Sequence, residues 1–201
     1  MKQNKKERLN KLKLSFKLGR LYRTSDLNEL STNLSRDLQE LVELGWIKQA
    51  TAGIYYRPKH TWFGDLPVDT AKLVEKFLNS NDFVVIDFNK YNTLGLGTTQ
   101  LHNRQVIYNH KRHGKFTLDG IEYEFKRVTY LPAKVDKEFL LIDMINNFKL
   151  LGEDFELVQI SLKKNWKRFD TKKVLKLSSK FGKIATQRLF TAIEKESYVS
   201  A

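Results

Sequence analysis

Five side chains within one short stretch have the types needed to read a nucleic acid. Thr32, Asn33, Ser35, Arg36 and Gln39 are interleaved with Leu34, Leu38, Leu41 and Val42. The leucines and valine recur at i, i+4, i+7 and i+8, the period of a helix with one apolar stripe. That period puts the polar set on the opposite face. A guanidinium can donate two hydrogen bonds to a guanine edge, a carboxamide can pair with adenine, and hydroxyls serve phosphates. Ser31-Thr32 offers a cap for this helix and Gly45 a stop. Asp37, Glu40 and Glu43 fall toward its C-terminal half, so DNA is expected to meet only the first two turns.

Such a helix needs a domain to hold it. Residues 5–18 carry Leu9, Leu12 and Phe16 at helical spacing, with lysine and arginine on the other faces, and Gly19 ends that helix. After the apolar pair Leu21-Tyr22, Thr24 or Ser25 can cap a short helix at 26–30. Downstream of Gly45, residues 46–50 and 54–57 are β-prone runs around a turn with Gly53, which predicts a hairpin. Helix, short helix, helix and hairpin in this order define a winged helix-turn-helix, in which the third helix enters the major groove. Its core is expected from Leu9, Leu12, Leu34, Leu38, Leu41, Ile47 and Ile54. The wing adds Lys48, Thr51 and Arg57 to the candidate DNA-binding residues. The same unit could instead serve protein contacts, with Arg36 merely solvated.

Residues 58–67 (PKHTWFGDLP) read as a linker, with Trp62-Phe63 expected to pack against a neighbouring domain. Asp69 is placed to cap a helix at 70–78 with Ala71, Val74 and Leu78 on its buried face. The run FVVIDF at 83–88 predicts a strand central in a sheet, and residues 105–108 another. Asp119-Gly120 between 116–118 and 121–128 marks a tight hairpin. Beyond Ala133 the pattern predicts helices at 139–150, 162–169, 171–180 and 183–195, the second striped by Leu162, Trp166 and Phe169. The lysines around them read as solvated faces or a polyanion-binding patch. The expected fold class is α+β: a winged-helix domain at 1–60, then at 68–201 a mixed α/β domain with a helical C-terminal part.

The 201 residues carry a net charge of +13. By segment the balance is +7 for residues 1–60, +1 for 61–130 and +5 for 131–201. Basic ends around a nearly neutral middle suit a polyanionic partner. Cysteine is absent, which removes disulfides, thiolate metal ligands and thiol nucleophiles. No apolar run approaches the roughly 20 residues of a membrane span, and no signal-peptide pattern opens the chain, so a cytoplasmic protein is expected. Leu94-Gly95-Leu96-Gly97-Thr98-Thr99 lacks the lysine of a phosphate loop. His110 and His113 sit among Lys111, Arg112 and Lys115 with no third metal ligand near. No catalytic constellation can be assembled, so the expectation is a non-enzyme without cofactor or metal.

Residues 34–57, LSRDLQELVELGWIKQATAGIYYR, resemble the helix, wing and closing Gly-Ile-Tyr of AbiEi-type antitoxin winged helices. The likeness continues through Gly64 to Pro67 and through YNTLGLGTTQ at 91–100, similar to a segment of the antitoxins' second domain. It covers about residues 20–130. Several relatives have proline just after the Thr-Gln, where this chain has Leu101. The resemblance implies a bacterial or mobile-element transcriptional regulator, the antitoxin of a type IV toxin–antitoxin system. Such a protein represses its own operon on double-stranded operator DNA, as a possible homodimer, and counters a nucleotidyltransferase-like toxin. It maps DNA binding onto Thr32 to Gln39 and onto the wing near Thr51.

Overall fold

A computed structural model describes residues 4–199 as a mixed α+β chain of two compact units with a helical C-terminal part. The first unit comprises residues 1–83 and 114–123, and the second comprises 84–113 and 124–201.

In the first unit, α1 (Lys5–Ser15) is capped by the Asn4 side chain, and the chain turns at Gly19 (φ 70°). Strand β1 (Leu21–Arg23) follows, then a 3₁₀ helix over Thr24–Leu30 and α2 (Leu34–Glu43). Gly45 (φ 66°) ends that helix and leads into the hairpin β2 (Lys48–Thr51) and β3 (Ile54–Tyr56). The three strands form an antiparallel sheet in the order β1-β3-β2, with Tyr56 opposite both Leu21 and Lys48. Sequence reasoning missed β1 because a three-residue strand has no readable period. Leu12, Phe16, Leu27, Leu34, Leu38, Leu41 and Ile47 form the core, Ile54 is buried, and Leu9 packs at the edge half-buried.

This unit is larger than residues 1–60. Residues 58–67, expected as a linker, carry a small hairpin of β4 (His60–Thr61) and β5 (Gly64–Asp65). Its tip corrects a second expectation: Trp62 and Phe63 are 90% and 83% exposed, with their ring centroids 4.0 Å apart. Helix α3 (Thr70–Leu78) is capped by Asp69. Its buried residues are Leu73, Val74, Phe77 and Leu78, while Ala71 faces solvent, contrary to expectation. The Asp119-Gly120 turn (φ 50° and 79°) joins β8 (Gly114–Leu118) to β9 (Ile121–Arg127). It reaches the β2–β3 hairpin: Asp119 N–H donates to Ala50 O at 2.7 Å, and Tyr56 Oη donates to Asp119 Oδ1 at 2.9 Å.

The second unit is built around α4 (Lys137–Asn147), buried along nearly its whole length. Strands β6 (Phe83–Asp87) and β7 (Gln105–Asn109) are neighbours, and β7 pairs parallel to the 124–127 half of β9. The order β6-β7-β9 puts β6 at an edge, where it is only half-buried, rather than at the centre as its apolar run suggested. Helices α5 (Phe155–Lys164), α6 (Thr171–Phe181) and α7 (Ile184–Val199) complete the unit. The expected helix at 162–169 is instead the end of α5, a break at Asn165 and a 3₁₀ turn over Trp166–Arg168. Leu162, Trp166 and Phe169 are buried all the same, in one cluster with Leu141, Met144, Val174 and Phe190. Among the described residues no helix is long and apolar enough to cross a membrane.

Candidate nucleic-acid interface

The position of α2 is fixed by a charge pair inside the first unit. Arg8 is on the same face of α1 as Leu12, one turn away, and Asp37 is on the same face of α2 as Leu34, Leu38 and Leu41. Arg8 Nε donates to Asp37 Oδ2 at 3.0 Å, with Asp37 at 0% and Arg8 at 8% exposure. Ser31 Oγ donates to the same carboxylate oxygen at 2.6 Å and accepts from Asn33 N–H at 2.9 Å. One serine therefore links the buried pair to the first turn of α2. Burial pushes the Asp37 carboxyl up, but the hydrogen bonds from Arg8 and Ser31 outweigh it and hold the group below the usual carboxylate range.

This arrangement removes Asp37 from the three acids expected to confine DNA to the first two turns, because it is buried. Two further acids of α2 are also engaged. Glu40 pairs with Lys5 Nζ at 2.8 Å, and Glu43 accepts from Gln39 Nε2 at 3.1 Å. The N-terminal end of α2 is left with Thr32 and Asn33 just before the helix and Ser35 and Arg36 on its first turn, all exposed. These four share a shallow depression of about 510 Å³ with Thr24, Asn28 and Ser31. The β2–β3 turn reaches that region, because Gly53 O accepts from Thr24 N–H at 2.9 Å and from Thr24 Oγ1 at 3.2 Å. Half-buried Thr51 sits at this turn.

Lys48 and Arg57 lie at the other end of the hairpin, beside the Tyr56 pairing. Lys48 Nζ is 2.6 Å from Asp65 Oδ2, and the Arg57 guanidinium lies 4.1 Å from the centroid of the Trp46 ring. Lys13 approaches the same ring at 5.3 Å. The structure thus gathers Thr32, Asn33, Ser35, Arg36 and Thr51 near one end of the unit, while Lys48, Arg57 and Gln39 are occupied by neighbours. Sequence reasoning missed Arg8 and Ser31 as positioning residues. The available signal was a charge of each sign on otherwise apolar helix faces.

The remaining chemical motifs take structural places. Leu94 and Leu96 of the glycine-rich stretch are buried in the second unit's core. His110 Nδ1 lies 2.7 Å from Val128 O, and among the described residues no group of three His, Asp or Glu side chains could hold a metal. No protein-family model matches the sequence, and no curated protein matches it.

Proposed function

We propose that the first unit is a winged helix that binds double-stranded DNA, and that the chain is a transcriptional regulator acting by binding rather than by catalysis. One observation carries the reading: Asp37 is drawn inward and Glu40 paired with Lys5, while Thr32 and Asn33 stand exposed just before α2 and Ser35 and Arg36 on its first turn. Short polar side chains and one guanidinium at a helix N-terminus suit a major groove flanked by phosphates. The Gly53 turn, tied to Thr24, supplies a wing beside that end. The basic excess of residues 1–60 supplies the long-range attraction. The likeness of residues 34–57 and 91–100 to AbiEi-type antitoxins extends the proposal to an antitoxin that represses its own operon and counters a toxin encoded beside it.

The test is titration of the full chain onto labelled DNA from upstream of its own reading frame, at several salt concentrations. Log affinity should fall linearly with log salt, by roughly 0.9 for each phosphate neutralised. Affinity unchanged between low and moderate salt would sink the proposal. A second reading, a winged-helix module for protein contacts, draws on one feature: the Trp62-Phe63 tip exposes two aromatic rings that no DNA-reading role requires.

A further inference from the structure

The second unit contains a cleft of about 760 Å³. That volume lies within the range of small-molecule sites. Phe148, Phe155, Ile145 and Leu189 give it apolar walls. Three lysines, Lys126, Lys149 and Lys183, also line it, and no aspartate or glutamate does.

Two of these cations donate to neutral oxygens, and one of them also has a carboxylate near it. Lys126 Nζ donates to Asn147 Oδ1 at 2.8 Å, with Glu124 the carboxylate beside it at 3.5 Å. Lys183 Nζ donates to the main-chain oxygen of Asn146. Asn147 is itself buried, its amide engaged by Tyr108 and Asp143, so Lys126 is anchored to an ordered network. The first turn of the sixteen-residue α7 also borders the cleft through Ala185 and Thr186. The positive end of its helix dipole adds to the lysines. Three ammonium groups, a helix N-terminus and apolar walls, against the single carboxylate of Glu124 beside Lys126 and outside the lining, complement one kind of ligand.

We propose that this cleft binds an amphipathic organic anion. Its carboxylate-type head lies between Lys126 and Lys183, and its apolar body lies against Phe148, Phe155 and Leu189. The site is separate from the proposed DNA-binding face and stands whether or not the chain binds DNA.

The probe is 8-anilinonaphthalene-1-sulfonate, an aryl anion whose emission rises and shifts to the blue in apolar surroundings, titrated into the folded full-length chain. Saturable binding of one equivalent is expected, with displacement by decanoate and none by decyltrimethylammonium at equal concentration. Lys126→Gln with Lys183→Gln should weaken both anions about tenfold, and Leu189→Glu at least as much. Because Lys126 also serves the Asn147 network, Lys149→Gln with Lys183→Gln provides a second test that leaves the network intact. Lys90→Gln, outside the cleft, should change nothing. Equal displacement by the cationic amphiphile overturns the proposal. So does a dye affinity indifferent to both lysine pairs, or binding of many equivalents. An acidic peptide that displaces the dye where decanoate fails would assign the cleft to a protein segment and overturn it too.

Discussion

In the first unit the buried Asp37 meets a guanidinium, and in the second the buried Asp143 meets two phenols and an amide. Asp37 is held by Arg8 at 3.0 Å and Ser31 at 2.6 Å. Asp143 accepts from Tyr91 Oη at 2.6 Å, from Tyr108 Oη at 2.5 Å and from Asn147 Nδ2 at 3.1 Å. The two carboxyls shift in opposite directions. Burial dominates at Asp143 and raises it, while at Asp37 the charged partner and the serine win and lower it. Burial beside Asp143 likewise pushes the Tyr91 and Tyr108 phenols up. The first unit has a small core and uses a charge pair to fix where α2 starts. The second has a large apolar core and uses neutral hydrogen bonds to hold α4. A buried charge pair sets position at a high desolvation cost, so it belongs where one helix must sit in one place.

The severest break of this comparison is Asp37→Asn. It removes the carboxylate that Arg8 and Ser31 engage at 3.0 and 2.6 Å, and stripping one partner from a buried pair costs about 3–5 kcal/mol. Trp46 belongs to the first unit and Trp166 to the second, so in a Trp62→Phe background tryptophan emission reports on both. Denaturant unfolding of the variant should move the Trp46 signal strongly. A midpoint unchanged from the parent would show that the pair does not hold the unit together.

Arg36→Ala tests the exposed end of the same helix, where positioning has left a bare side chain. If Arg36 reads a base edge, its loss should cost about 1–3 kcal/mol on a specific site and little on random DNA. Stability should stay within about 0.5 kcal/mol, as for an ordinary surface substitution. Lys48→Ala should weaken both DNAs by smaller, similar amounts, since Asp65 already engages that ammonium. Competition binding with specific and random duplexes separates these outcomes. Equal losses for Arg36→Ala on both duplexes would reduce Arg36 to a phosphate contact.

What could be read from the sequence was mostly local. The α2 stripe, the Gly53 and Asp119-Gly120 turns and the Asp69 cap each depend on residues a few positions apart, and each stands where its pattern put it. Pairings across long separations were invisible. Arg8 and Asp37 are 29 residues apart, and Tyr56 and Asp119 are 63 apart. No period announces such contacts, and hydrogen bonds of that kind place the 114–123 hairpin in the first unit. Of the candidate interface, the outward set on α2 followed from helical geometry alone. The engagement of Lys48 with Asp65 and of Arg57 with Trp46 did not, because each partner comes from a different element. Trp62 and Phe63 failed as residues expected to pack against a neighbouring domain for a related reason: large aromatics usually bury, and only the fold shows this pair exposed.

The mildest change, Asp143→Asn, sharpens the comparison because the same substitution that cripples Asp37 should be tolerated here. The carboxamide oxygen can take the place of Oδ1 and accept from Tyr108 and Asn147, while its NH2 group faces Tyr91 Oη and donates to it, so one hydrogen bond reverses as the charge is removed. The expected cost at neutral pH is within about 1 kcal/mol, the scale of one rearranged hydrogen bond. The pH profiles carry the sign. The folded value of Asp143 lies above its unfolded value of roughly 3.9, so the folded state binds more protons in the window above that value. Its contribution is full below roughly pH 4 and is lost as pH rises through the raised folded value. Asp37, lowered, does the reverse: its contribution is present above roughly pH 4 and is lost as pH falls through its depressed value. Asp143→Asn should therefore gain on the parent as pH rises from about 4, read by the Trp166 signal in denaturant titrations at stepped pH. A difference between parent and variant that stays flat across that range would mean that Asp143 titrates alike folded and unfolded, and the contrast between the two carboxyls would fall.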